Sequence, residues 1–278
     1  MSILYVVATP IGNLSDISHR ATEILSTVTT VAAEDTRVSR KLFNHIGVSP
    51  RLESLHEHTS PDRIQYLVEK LENGNMAVIS DAGTPGISDP GSALVAAAVE
   101  AGHDVISIPG PSAIVAALSI TGWSFDRFLF LGFLPRKNND QLATLNSAAQ
   151  ELGPVVSYES PHRIQATLEN INQVFQDRQL VICRELTKFY EETFRGTAAE
   201  AIAHFNTQPK GEFVVVIQGL GKAANIELSD DEILEVLSNL KENGLSGRTL
   251  VERAVDITRA TKNRVYKLSL NKDSKQSE

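Results

Sequence analysis

Ile79-Ser80-Asp81-Ala82-Gly83-Thr84-Pro85-Gly86-Ile87-Ser88-Asp89-Pro90-Gly91 is the stretch around which the chain is organised. An apolar run, 76–79, leads into it, and a small-residue helical pattern, 92–101, leads out. From Asp81 to Gly91 it holds three glycines, two prolines and two aspartates. Glycine permits positive φ and close backbone approach, and proline fixes φ. A stiff loop after a buried strand is suited to hold a ligand, because open α/β sheets bind at the carboxyl ends of their strands. The same residues also read as a tight turn, with Asp89 capping the next helix and Pro90 at its first position.

Outward from this loop the pattern alternates. Residues 3–8 and 28–33 read as strands. Helix patterns follow at 18–26, with Ala21, Ile24 and Leu25 on one face, and through Val38, Leu42 and Ile46 up to Gly47. Pro61 opens a further helix carrying Ile64, Leu67, Val68 and Leu71 at helical spacing, and 105–108 is a strand. This βα rhythm predicts a mostly parallel sheet covered on both faces. Pro109-Gly110-Pro111-Ser112 is the strongest punctuation and closes an N-terminal α/β domain, 1–110.

Residues 111–225 form a second α/β domain. Its strands are expected at 128–131, 155–157, 180–185, 192–195 and 213–217, and its helices at 113–120, 141–150, 163–175 and 198–206. The strands near Leu180 and Glu192 follow each other closely, which predicts a mixed sheet. After Gly221 the character changes. Ser229-Asp230-Asp231-Glu232 is a capping box, with Ile233, Val236, Leu237 and Leu240 on the helix behind it. Helices near 249–259 and 263–269 complete a small helical appendage, 226–270, that admits a helix-turn-helix-like arrangement. The polar tail, 271–278, is expected to be disordered.

Length, 278 residues, suits about two domains. The single cysteine, Cys183, excludes an internal disulfide framework and fits a reducing cytosol. The first residues lead into a strand without a basic leader, and no apolar run approaches the ~20 residues of a membrane helix. A cytoplasmic protein is expected. Net charge is −8, against a general nucleic-acid binder. Residues 241–278, however, hold nine Lys/Arg and five Asp/Glu, so +4 lies there and −12 on the remainder. That basic end is compatible with a nucleic-acid contact or with an ordinary solvated surface.

Four more stretches end strands. Ala8-Thr9-Pro10-Ile11-Gly12-Asn13-Leu14 is neither GxGxxG nor a Walker A loop, which disfavours dehydrogenases and nucleotide triphosphatases. Glu34 and Asp35 either meet a ligand at the sheet edge or cap the next helix. Tyr158-Glu159-Ser160-Pro161-His162-Arg163 places a carboxylate, an imidazole and a guanidinium at a helix N-terminus, a position that attracts anions. Arg184-Glu185-Leu186-Thr187-Lys188 is either functional or a set of surface ion pairs worth ~0–1 kcal/mol each. His56 and His58 share a side of an extended segment but lack further ligands, so no metal site is expected.

Taken together, Thr9–Leu14, Ala33–Arg37, Ser80–Gly91, Pro109–Ala113, Gly132-Phe-Leu-Pro-Arg136, Tyr158–Arg163, Glu185–Lys188 and Lys210-Gly-Glu-Phe213 resemble the bacterial 16S ribosomal RNA (cytidine-2′-O)-methyltransferases, a branch of the tetrapyrrole-methylase superfamily. Where tetrapyrrole makers carry Gly-Pro-Gly-Asp near the N-terminus, this chain has Pro10-Ile11-Gly12-Asn13. The resemblance implies two α/β domains with S-adenosylmethionine in the cleft between them. It implies ribose methylation of a decoding-centre cytidine, and a homodimer. The cofactor site it implies maps to Pro10, Asp81, Ala82, Gly83, Ile87, Ser112 and Ala113, with backbone near Leu186 and Gly211. In-line transfer needs a proton acceptor, for which Glu159 and His162 are the candidates and Asp81 and Asp35 the rivals. Arg163 and Lys188 are expected to hold RNA phosphates, with Arg136 and Lys137 on the cleft rim. The substrate is expected to be RNA packaged in the small ribosomal subunit. Two rivals stay open at this point: methylation of a small tetrapyrrole, and a ribosome-assembly factor without enzymatic activity.

Overall fold

A computed structural model of the chain describes residues 2–207, 210–221, 229–258 and 260–271. Five strands, β1 (Ile3–Val7), β2 (Thr30–Ala33), β3 (Arg51–Ser54), β4 (Met76–Ile79) and β5 (Asp104–Ile108), form one sheet. Its order is β3-β2-β4-β1-β5 and every pairing is parallel. Between the strands run α1 (His19–Thr27), α2 (Thr36–Ile46), α3 (Pro61–Glu72) and α4 (Ser92–Glu100). One sheet face packs Leu4, Ala32 and Val78 against Leu67, Leu71, Leu94 and Ala98 of α3 and α4. The other packs Val7, Val31 and Ile79 against Ala21, Leu25 and Phe43 of α1 and α2. Burial on both faces explains the uninterrupted apolar strands such as Met76–Ile79. Parallel pairing also delivers the residues after every strand to a single edge.

The second sheet contains β6 (Leu129–Phe133), β7 (Val155–Glu159), β8 (Gln179–Arg184), β9 (Glu192–Thr197) and β10 (Phe213–Ile217). Its order is β6-β7-β10-β8-β9, parallel only between β6 and β7. Three helices, α6 (Asn138–Ala148), α7 (Ile164–Phe175) and α8 (Ala198–His204), cover one face through Leu145, Leu168, Ile171 and Ala201. The other face carries Val156, Tyr158, Cys183 and Val214 and packs on α5 (Ala113–Ser119) through Ile114 and Ala117. The chain therefore holds two α/β domains, the first with a parallel sheet and the second with a mixed one, both within a compact unit, Met1–Gly219.

Leu220–Glu278 is a second unit. In it α9 (Asp230–Glu242), α10 (Gly247–Thr258) and α11 (Lys262–Asn271) enclose their own core of Ile233, Leu237, Leu250, Ala254 and Val265. The capping box forms: Ser229 Oγ accepts from the Glu232 N–H while Glu232 reaches back to the Ser229 N–H. Of the tail expected over 271–278, Asn271 closes α11 and the rest lies outside the described residues, as does 226–228. Among the described residues no helix is long and apolar enough to cross a membrane.

Two local readings differ from the sequence expectation. β3 was not expected, since its four residues Arg-Leu-Glu-Ser carry one apolar side chain. Asp89 does not cap α4: Gly91 takes that place, at φ 138°, with no side-chain cap bond. A side-chain cap is worth about 1 kcal/mol, and α4 forgoes it because Asp89 turns elsewhere.

Candidate active site

The carboxyl edge of the parallel sheet gathers the loops after β1, β4 and β5. Thr9 and Gly83 exchange backbone hydrogen bonds, Thr9 N–H to Gly83 O at 2.8 Å and Gly83 N–H to Thr9 O at 3.1 Å. Thr9 Oγ1 donates to Ser80 O at 3.1 Å. Gly83 adopts φ 82°, a left-handed conformation that an L side chain rarely takes. Ser112 caps α5 by accepting from the Val115 N–H, which fixes the turn out of β5.

These loops face the α5-covered side of the mixed sheet across a cavity of about 450 Å³. Ile11, Ala82, Gly83, Thr84, Ile87 and Asp89 come from the first half, and Phe128, Phe133, Tyr158, Leu186, Glu212 and Val214 from the second. Ser112 and Ala113 stand at the crossover between them. The size and the apolar wall with few polar points are those of a small-molecule site. Tyr158 packs edge-on against Phe130, ring centroids 5.1 Å apart, and tilted against Phe133 at 5.4 Å. Burial, with Asp89 and Glu212 nearby, pushes its phenol up to about 12.

The two halves are pinned at Gly12. The Asn13 N–H donates to Thr187 Oγ1 at 3.1 Å. A Cβ on Gly12 would lie 2.5 Å from Lys188 Cγ and 2.9 Å from Leu186 O. The loop it touches is strained, with Glu185 at φ 51° and Thr187 at φ 66°.

Of the expected cofactor residues, Ala82, Gly83, Ile87, Ser112, Ala113 and Leu186 all line the cavity. Pro10 and Gly211 sit one residue from the lining residues Ile11 and Glu212. Asp81 faces a second concavity with Glu34, Asp35, Arg37, Ser54 and His56. There its Oδ1 accepts from the Asp35 N–H at 2.9 Å, and its N–H donates to Glu34 Oε2 at 3.3 Å. Asp35 caps α2 and is held well below the usual carboxylate range by its hydrogen bond from Arg37.

Glu159 reaches the lining, yet its side chain has no exposed surface. One oxygen accepts from the Ser160 N–H at 2.7 Å; the other accepts from Thr167 Oγ1 at 2.6 Å and pairs with Arg163 at 3.3 Å. Arg163 also donates to Leu134 O and Pro135 O at 2.8 and 2.9 Å, tying the end of β6 to the start of α7. His162 is exposed in the turn after β7, and Arg136 and Lys137 are exposed between β6 and α6. Lys188 lies on the cavity wall, paired with Glu185 at 2.8 Å and Glu212 at 2.9 Å.

Sequence reasoning passed over Gly12, Tyr158, Glu212 and, as anything but a cap, Asp89. Burial pushes the Asp89 carboxyl up to about 6, against the lowering effect of the nearby Ser80 hydroxyl. Asp89 repeats, eight residues on, the Ser-Asp pair that opens the loop, Ser80-Asp81 and Ser88-Asp89, and that repetition was the available signal.

A family model described as Tetrapyrrole (Corrin/Porphyrin) Methylases matches residues 3–202. A protein of Synechocystis sp. named ribosomal RNA small subunit methyltransferase I is 45% identical over 273 residues, covering 97% of this chain and 98% of its own. The protein of that name from Escherichia coli O157:H7 is 40% identical over 272 residues, covering 96% and 94%. Among solved structures, the methyltransferase CobJ aligns with a TM-score of 0.60 at 19% identity, over 79% of this chain and 95% of its own. Uroporphyrin-III-C-methyltransferase from Thermus thermophilus aligns at 0.53 and 17%, over 82% and 97%. At these identities the two structures speak for the fold alone.

Proposed function

The chain belongs to the tetrapyrrole methylase family, and from that premise we propose that it is an S-adenosylmethionine-dependent methyltransferase of small-subunit ribosomal RNA. Its target is the ribose 2′-oxygen of a decoding-centre cytidine, methylated in line. The observation that carries the reading is the cavity, in which six of the nine residues expected at a cofactor site converge from loops up to 104 residues apart, Ala82 to Leu186. The relatives' shared name supplies the RNA.

The residues present fit the cofactor. Gly83 leaves a cradle that a Cβ would narrow towards Ile11 and Pro111 O. Ile114, Leu186 and Val214 offer apolar surface to an adenine ring, while Glu212 offers negative charge to an ammonium. When bound, S-adenosylmethionine supplies a methyl group activated by sulfonium. The protein's part is to orient and to exclude water. Leu186 and Phe133 close the apolar wall, Gly12 holds the second half against the first, and Glu159 with Arg163 and Thr167 fixes the turn at which RNA is to enter. Arg136 and Lys137, exposed beside that turn, are available to phosphates. The acidic body matches a substrate already packaged with protein, met in the cytoplasm by a homodimer.

The test offers radiolabelled S-adenosylmethionine with small subunits, with naked ribosomal RNA and with a small tetrapyrrole, the RNA taken from a strain lacking the enzyme. Label in a 2′-O-methylated cytidine of the small-subunit RNA is expected, with the packaged form preferred. Label only in the tetrapyrrole, or none at all, overturns the reading.

A further inference from the structure

In-line methylation of a ribose hydroxyl leaves a proton to be placed, and the cavity offers few groups to take it. Three carboxylates line it: Asp89, Glu159 and Glu212. Glu159 has both oxygens engaged and no exposed surface. Glu212 is paired with Lys188 at 2.9 Å. The Ser80 hydroxyl, close enough to lower the Asp89 carboxyl, donates to Ala82 O at 3.4 Å, and among the described residues Asp89 forms no ion pair with a Lys, Arg or His.

The backbone around Asp89 is shaped to present it. Ser88, immediately before, holds φ 61°, a conformation rare for a residue with a side chain, and Gly86 and Gly91 on either side hold 82° and 138°. Ser88 Oγ lies 3.4 Å from where a Cβ of Gly132 would stand, so the loop rests on the β6 bulge of the opposite half. The helix behind is left without a side-chain cap. A strained Ser88, a forgone cap at Gly91 and the cavity-facing carboxylate of Asp89 fall within four residues.

Resting on the methyltransferase reading, we infer that the Asp89 carboxylate is the proton acceptor for the ribose 2′-hydroxyl. The 2′-oxygen forms its bond to the methyl carbon as the carbon–sulfur bond breaks. The electron pair of that bond stays on sulfur, the product is a neutral thioether, and the hydroxyl proton passes to Asp89. The groups facing Asp89 suit the task. Glu34 after β2, Asp81 after β4 and Glu212 before β10 repel its negative charge, and Tyr158 on β7 is neutral across the operating range. With its carboxyl at about 6, Asp89 is ionised at neutral pH yet basic enough to accept a proton.

The experiment compares wild type with Asp89→Asn and Ser80→Ala. For Asp89→Asn, kcat on small subunits is expected to fall about 100-fold, while the calorimetric Kd for S-adenosylmethionine moves less than about tenfold. In the wild type, kcat/KM is expected to rise with pH through a midpoint at or somewhat below about 6, since a bound sulfonium favours the carboxylate. Ser80→Ala removes the hydroxyl dipole that favours the ionised form, so its limb shifts to higher pH. Carbon-13 carboxyl NMR of the free protein, assigned by the resonance absent from Asp89→Asn, is expected to titrate near 6, and the remaining spectrum reports folding. A folded Asp89→Asn protein with kcat within threefold of wild type overturns the inference alone. So does loss confined to cofactor affinity, which would make Asp89 a charge partner and not a base. A wild-type enzyme that transfers no methyl to RNA overturns the methyltransferase reading itself.

Discussion

Gly12 shows how a single hydrogen in place of a side chain joins two halves of a molecule. Its φ is ordinary; the constraint is the Thr187–Lys188 segment, which a Cβ would meet at 2.5 and 2.8 Å. Gly12→Ala must push this segment back. Because Leu186 and Lys188 line the cavity, S-adenosylmethionine affinity is expected to fall at least about tenfold, roughly 1.4 kcal/mol, with thermal stability changing little. Calorimetry against a melting curve separates the two effects. The contact joins residues 174 positions apart, Asn13 to Thr187, which is why the loop 8–14 looked weak in the sequence. Asp89 was misread for a different reason. Asp-Pro before a small-residue helix satisfies the local capping rule, and only the cavity shows that a tertiary demand prevailed.

At the scale of elements, strands with apolar runs and helices with caps were legible because their patterns are local. The capping box of Ser229 and Glu232 forms as the sequence pattern implies. β3 escaped because its place is held by charge. Glu53 is 7% exposed and faces Arg51, Arg63 and Lys70 at 3.0, 2.7 and 3.3 Å. Burial alone would raise its carboxyl, but the hydrogen bond from Arg63 and the Lys70 cation outweigh that and set it below the ordinary value of 4.5. Removing Glu53 leaves three partly exposed cations without their shared partner, a loss of about 1–3 kcal/mol. Glu53→Ala is therefore expected to lower the melting temperature at pH 7 by several degrees. A folded value below the unfolded one means that the stabilisation is complete above about 4.5 and fades as pH falls through the folded value. The gap between variant and wild type should shrink at pH 3; a gap independent of pH would assign the loss to packing instead.

For the molecule as a whole, the division between an acidic α/β body and a basic end was readable from charge alone, but its purpose was not. The body carries −12 and the segment 241–278 carries +4, so the cationic end is the part best able to displace counterions from an RNA backbone. The helices α9 to α11 bury a core of their own, Ile233, Leu250 and Val265 among it, and the cavity lies wholly within Met1–Gly219. Cofactor binding and particle binding are thus expected to be separable. Deleting 229–278 should weaken binding to the small subunit about tenfold or more at ~150 mM salt and flatten its salt dependence, since every phosphate that the protein ceases to neutralise takes about one unit from the slope. The Kd for S-adenosylmethionine should stay within about threefold of the full chain. Equal losses in both would mean that the helical unit supports the fold of the body, and an unchanged salt slope would place the RNA contacts on the rim around Arg136 and Lys137.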